Sequence, residues 1–178
     1  MRGAANYGWP YCIGHVAYVD FNFANNTSGA AFDCDNLRNE SPRNTGLVDL
    51  PPVTDPELAY TFGAVPGYPA FGDGPVAPMA GPMYVFEPSS ASPIKWPAEY
   101  GGGIIFYEWT RNFIGDFRLG ADGSLASVER VPTPGIIGAI DVEFGPDGAL
   151  YVLEYGSAFN FAAPDAKLSR IEYRTVAP

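Results

Sequence analysis

From Ile140 to Phe144 apolar and polar residues alternate (I-D-V-E-F). Gly145-Pro146-Asp147-Gly148 follows, and a second apolar run leads from Ala149 to Leu153. Alternation bounded by Asp-Gly predicts a tight β-hairpin, because those residues accept the positive φ of such a turn. The second run is apolar at nearly every position, which predicts a strand buried on both faces and covered by other sheets. Upstream, Met79 to Phe86, Gly103 to Trp109, Phe113 to Leu119 and Ser124 to Val131 read as further strands. Thr110-Arg111-Asn112 and Ala121-Asp122-Gly123 separate three of them, and Pro132 and Pro134 end the last. Leu168 to Tyr173 alternates again. No stretch shows helical periodicity with caps.

Before these strands the pattern dissolves. Asn6 to Phe23 starts at a Gly-Trp-Pro corner and is rich in aromatics. From Ala24 to Pro75, Asn, Gly, Pro, Asp and Ser dominate, with only short apolar pieces at Leu47-Val48 and Leu58 to Phe62. A segment of this kind marks a functional or clamped loop, or one lying on another part of the fold. The chain thus reads as one partial domain, loop-rich over 1–78 and built of strands over 79–178.

The strands carry an internal repeat. L-G-A-D-G-S-L-A-S-V-E (Leu119 to Glu129) aligns with F-G-P-D-G-A-L-Y-V-L-E (Phe144 to Glu154) at the Gly, Asp, Gly, Leu and Glu positions. Repeated antiparallel units with G-x-D-G turns are a mark of propeller blades. A β-sandwich is the alternative on pattern alone, and the repeat favours the propeller. Composition agrees with an all-β, loop-rich chain: Gly and Pro number 21 and 18 of 178 residues, and aromatics make up 15%.

Charge and cysteines narrow the partners. A net charge of -10 repels phosphate backbones and anionic headgroups, so nucleic acid and membrane surfaces are disfavoured. No apolar stretch approaches the ~20 residues that span a bilayer. Met1 to Ala5 carries no secretory signal and runs straight into folded-domain sequence, so the chain is expected to be part of something larger or to have lost its true beginning. Cys12 and Cys34 have no partners at zinc spacing. They form either a disulfide, which the loop between them favours and which implies an extracytoplasmic compartment, or two buried thiols. Asn25, Asn26 and Asn39 begin Asn-x-Ser/Thr patterns.

Several motifs, in order, resemble the glucose/sorbosone dehydrogenase family of soluble quinoprotein sugar dehydrogenases: N-Y-G-W-P-Y-C-I-G (Asn6 to Gly14), M-A-G-P-M-Y (Met79 to Tyr84), Y-E-W-T-R-N (Tyr107 to Asn112), D-V-E-F-G-P-D-G-A-L-Y-V-L-E-Y-G (Asp141 to Gly156) and L-S-R-I-E-Y (Leu168 to Tyr173). The resemblance implies roughly three blades of a six-bladed propeller. It also implies pyrroloquinoline quinone and calcium as cofactors, and hydride transfer from a sugar while a histidine removes the proton. The family's catalytic histidine and most of its cofactor ligands fall before Asn6. The resemblance therefore implies a chain inactive alone, completed by a missing N-terminal half or by self-association. Arg111 falls beside a cationic quinone contact, with a loop-end pairing to Glu108 or Asp116 as the alternative. Tyr7 matches a carbonyl ligand of a second, structural calcium. The carboxylate expected near it is Ala17 here, and Asp20 is the nearest substitute. Gly138, Ala139 and Ile140 stand where the family places further arginines. That departure carries the alternative reading, a non-catalytic carbohydrate-binding or interaction propeller.

Other candidates have plainer readings. His15 is the only imidazole and lies outside the family's catalytic position. Asp33 and Asp35 are read as solvated loop acids rather than calcium ligands, and Asp122 and Asp147 as turn formers. Of the tryptophans, Trp109 is expected in the core, Trp9 at a corner, and Trp96 is the candidate for stacking on a sugar.

Overall fold

A computed structural model describes residues 4–158 and 163–174. It is all-β: eleven strands form small antiparallel sheets, none of them closed, and no α-helix occurs among the described residues. The chain divides into two compact units, Met1–Ala59 and Tyr60–Pro178.

In the first unit β1 (Cys12–Ile13) pairs with β2 (Val16–Ala17), and β3 (Val19–Asn22) with β4 (Thr27–Ala31). The hairpin apolar residues are largely exposed, and a small core of Cys12, Cys34, Leu37 and Val53 forms instead. Cys12 and Cys34 are joined by a disulfide with Cα atoms 6.2 Å apart. That cross-link does for this unit what periodic strands cannot, since it removes about 3 kcal/mol of loop entropy from the unfolded chain.

In the second unit β5 (Pro78–Met83), β6 (Ile104–Glu108), β7 (Phe113–Leu119) and β8 (Leu125–Val131) form a four-stranded meander, sheet I. The strands β9 (Ala139–Phe144), β10 (Leu150–Glu154) and β11 (Lys167–Ile171) form a three-stranded meander, sheet II. Two prolines, Pro78 and Pro82, lie in β5, which as an edge strand tolerates missing donors. The core lies between the sheets: Tyr107, Ile114 and Val131 of one meet Val142, Leu150 and Val152 of the other. The first strands, β5 and β9, are close neighbours. A Cβ on Gly81 would stand 2.6 Å from Val142 Cγ2.

The repeated motif folds into the same turn twice. Gly120 N–H donates to Ser124 and Gly123 N–H to Gly120 in one; Gly145 N–H donates to Ala149 and Gly148 N–H to Gly145 in the other. Asp122 and Asp147 each accept a backbone N–H two residues on, as turn formers do. The sequence expectation for β10 needs correction. Leu150, Val152 and Glu154 are buried, but Leu153 is 45% exposed and Tyr151 partly so. The apolar run is one-sided because nothing among the described residues covers the outer face of sheet II.

Candidate functional site

The site is built at the ends of β6 and β10, where each strand finishes on a fully buried glutamate. Glu108 accepts bonds from Ala77 N (2.6 Å), Thr110 N (3.3 Å), Thr110 Oγ1 (2.8 Å) and the Tyr60 hydroxyl (2.8 Å). Burial and this carboxylate together push the Tyr60 phenol above its ordinary pKa. Glu154 accepts from Ile137 N at 2.7 Å and from Ser169 Oγ, with Lys167 Nζ 3.7 Å away. Each carboxylate thereby ties the backbone leading into the first strand of its sheet to the end of the second. A desolvated charge is tolerable only with such donors.

Between these anchors lies an open cleft of about 490 Å³. Trp109, Thr110 and Asn112 of the β6–β7 turn form one wall; Ile137 and Gly138 form the floor; Gly156 to Ala158 form the other wall. Asn112, at φ +54°, accepts Gly138 N–H at 2.8 Å, which joins the two sheets' loops. Gly138 has φ +62°, and a Cβ there would sit 2.9 Å from both Gly156 O and Trp109 Nε1, so the floor demands glycine. The far wall is held by Asp165, whose carboxylate accepts Ser157 N–H and is pushed below its ordinary pKa by that bond. The cleft offers one partly exposed indole, an amide, two hydroxyls and backbone polar groups. Its described lining carries no ionisable side chain.

The tryptophans exchange the roles expected of them. Trp96 is 2% exposed, donates Nε1–H to Ile171 O at 3.1 Å and packs edge-on to Tyr100 and Phe144, so it is core and cannot stack on a ligand. Trp109 lines the cleft, edge-on to Tyr155 at 6.3 Å. Trp9 is 73% exposed beside Tyr18 rather than packed into a corner. No sequence signal separated the three, since which indole meets a cleft depends on strand register.

Arg111 points its guanidinium into the loop of residues 61–75. Nε donates to Pro75 O at 2.9 Å, and the terminal nitrogens to the carbonyls of Thr61, Gly63, Phe71, Gly72 and Gly74. The Tyr60 ring lies 5.5 Å beneath it. The donor fork is thus committed to a loop whose regular structure is the short 3-10 turn Pro69–Phe71, and these partners are carbonyls rather than Glu108 or Asp116. A quinone carboxylate would have to displace them.

In the first unit the Tyr7 carbonyl accepts Gly14 N–H at 2.9 Å, and Asp20 lies exposed, accepting Phe21 N–H at 2.9 Å. Asp33 is consumed by its own turn, accepting from Asp35 N and Asn36 Nδ2. Among the described residues no group of three or more His, Cys, Asp or Glu is arranged to hold a metal ion. His15 sits between Asp55 (2.9 Å) and Asp35 (3.5 Å) on the surface, and the Asp55 hydrogen bond raises its pKa above 6.5.

Pyrroloquinoline quinone is a tricarboxylate and calls for cationic donors. The cleft's described lining has none, and two buried carboxylates anchor its rim, so these residues do not fit the quinone by themselves. No protein-family model matches the chain, and neither curated proteins nor solved structures give a significant match.

Proposed function

We propose that this chain is the blade-forming C-terminal part of a sugar dehydrogenase-like β-propeller, and that the cleft beside Trp109 receives a sugar ring. The observation that carries this reading is the cleft itself. It opens at the common end of two meanders whose first strands lie side by side, as blades do around an axis. Thr110, Asn112 and Gly138, which line it, also adjoin the positions where the motif resemblance puts cofactor contacts. A partly exposed indole flanked by amide, hydroxyl and backbone groups suits an uncharged polyol, whose C–H face stacks while its hydroxyls hydrogen-bond.

The chain's own part is binding and orientation. Oxidising a sugar requires a proton acceptor and an electron acceptor, and among the described residues no ionisable group lines the cleft to serve as base. In this reading the base, the quinone contacts and calcium belong to the parent protein, and the isolated chain does not turn over. The lack of cationic lining favours a second reading, a non-catalytic carbohydrate-binding propeller. The disulfide supports an extracytoplasmic setting for either.

Tryptophan fluorescence titrated with a panel of aldoses tests the shared part. A saturable change with a dissociation constant of about 1 mM is expected, lost in Trp109→Ala. No response to any sugar, or an undiminished response in the variant, would overturn it. Quinone titration followed by absorbance separates the two readings, since saturable binding supports the dehydrogenase and none supports the binding module. Sugar-dependent dye reduction by this chain alone, with quinone and calcium added, would refute the assignment of chemistry to the parent.

A further inference from the structure

Three Asn-x-Ser/Thr patterns stand apart from the cleft: Asn25-Asn26-Thr27, Asn26-Thr27-Ser28 and Asn39-Glu40-Ser41. Such a pattern takes a glycan on exposed turns, where a transferase can reach the asparagine amide with the hydroxyl two residues on beside it. The fold separates the three.

Asn25 and Asn26 lie at the tip of the β3–β4 hairpin, in the loop closed by the paired residues Asn22 and Thr27. The tip turns because Asn22 Oδ1 accepts Ala24 N–H at 2.9 Å and Asn26 takes φ +53°, a left-handed conformation that asparagine tolerates. Every residue from 21 to 30 is exposed. At this tip the Thr27 hydroxyl donates to Asn25 Oδ1 at 2.7 Å. The carboxamide is thereby held by its oxygen, and its Nδ2 has no partner among the described residues.

The other two patterns lack this arrangement. The hydroxyl for Asn26 would be that of Ser28, which lies within β4 opposite Phe21, and among the described residues no bond joins it to Asn26. Asn39 is half-buried and knitted into its own loop. Its Oδ1 accepts Ser41 N–H at 3.2 Å, its N–H donates to Val48 O and its carbonyl accepts from Asn44 Nδ2. The Ser41 hydroxyl oxygen is taken by Arg43 N–H.

Two further observations agree with a modified tip. The Cys12–Cys34 disulfide of the same unit belongs to the oxidising compartments in which such transfer takes place. Phe23, two residues before Asn25, is 85% exposed, with its ring edge-on to Phe21. A first sugar attached at the tip would offer that ring an apolar face.

We propose that Asn25 is a site of N-linked glycosylation. Its Nδ2 attacks the anomeric carbon of a polyprenyl-diphosphate-linked oligosaccharide. The new C–N bond forms as the bond from that carbon to the phosphate oxygen breaks. The electron pair leaves with the diphosphate, and one amide proton passes to a base of the transferase. The assignment is independent of the sugar cleft.

Incubating the oxidised 178-residue chain with an oligosaccharyltransferase and such a donor tests it, read by intact mass and peptide mapping. A synthetic peptide spanning Phe23–Ser28 serves as the positive control. One glycan at Asn25 is expected. Thr27→Ala, which leaves the Asn26-x-Ser28 pattern intact, should abolish it. Ser28→Ala, which removes that pattern and keeps Thr27, should not, and Thr27→Ser should retain it. Circular dichroism melts confirm that each variant is folded. A folded wild-type chain left unmodified while the peptide is glycosylated, transfer to Asn26 or Asn39 instead, or full modification of Asn25 in Thr27→Ala would each overturn the proposal.

Discussion

Sheets I and II are built alike. Each is an antiparallel meander whose second strand ends on a buried glutamate that fastens the approach to the first strand. They differ in what lies against them. Sheet I is covered by sheet II on one face and, on the other, by Phe71 packed against Phe106 and Phe113. Among the described residues sheet II is covered on one face only, with Leu153 and Leu168 exposed on the other. Similar strands thus carry different stability, because burial belongs to the neighbours and not to the strand. Tyr107 and Leu153 hold equivalent places, yet one is 5% and the other 45% exposed.

The comparison is broken most sharply at its equivalent apolar pair. Ile114→Ala should cost about 2–5 kcal/mol in urea unfolding of dilute protein, and Leu168→Ala about 0.5 kcal/mol or less. Equal costs would mean that the outer face of sheet II is covered after all. The glutamates come next. Glu108→Ala strands four donors and should cost about 3 kcal/mol, whereas Glu154→Ala strands Ile137 N and Ser169 Oγ and should cost about 2 kcal/mol. The Gln variants, which keep an acceptor, should recover part of each loss; a reversed order would show that sheet II depends on its clamp more than sheet I.

The repeated turns give the smallest contrast. Gly123→Ala should cost about 1 kcal/mol for its positive φ alone. Gly148→Ala should cost more, roughly 1–3 kcal/mol, because its new Cβ would meet Lys95 Cβ at 2.4 Å. Thermal midpoints of the two variants measured side by side would show whether the turns are as interchangeable as their hydrogen bonds suggest.

Much of the strand layout was legible. Residues Phe113–Leu119 form the strand expected of them, and the two Asp-Gly turns close hairpins as the repeat implied. Here local chemistry decides: alternation selects strands, and Asp-Gly selects the turn. The loop-rich stretch was legible as irregular, but not that residues 60–78 would fold with the strands, where Phe71 packs into sheet I and Arg111 gathers the loop's carbonyls. Composition cannot show this, since the partners lie far apart in sequence and are chosen by shape.

The site divides along the same line. From the sequence alone came the strand order around the Asp-Gly hairpins, the acidity of the chain, and a disulfide favoured over free thiols. These follow from residue type and short-range spacing. Tertiary structure decided that Trp96 is core and Trp109 lines the cleft, that Arg111 spends its donors on backbone, and that β10 is buried on one face and bare on the other. Each of those outcomes depends on which residues sit across a register or beneath a sheet. That is a property of neighbours brought together by folding, and no pattern along a single strand contains it.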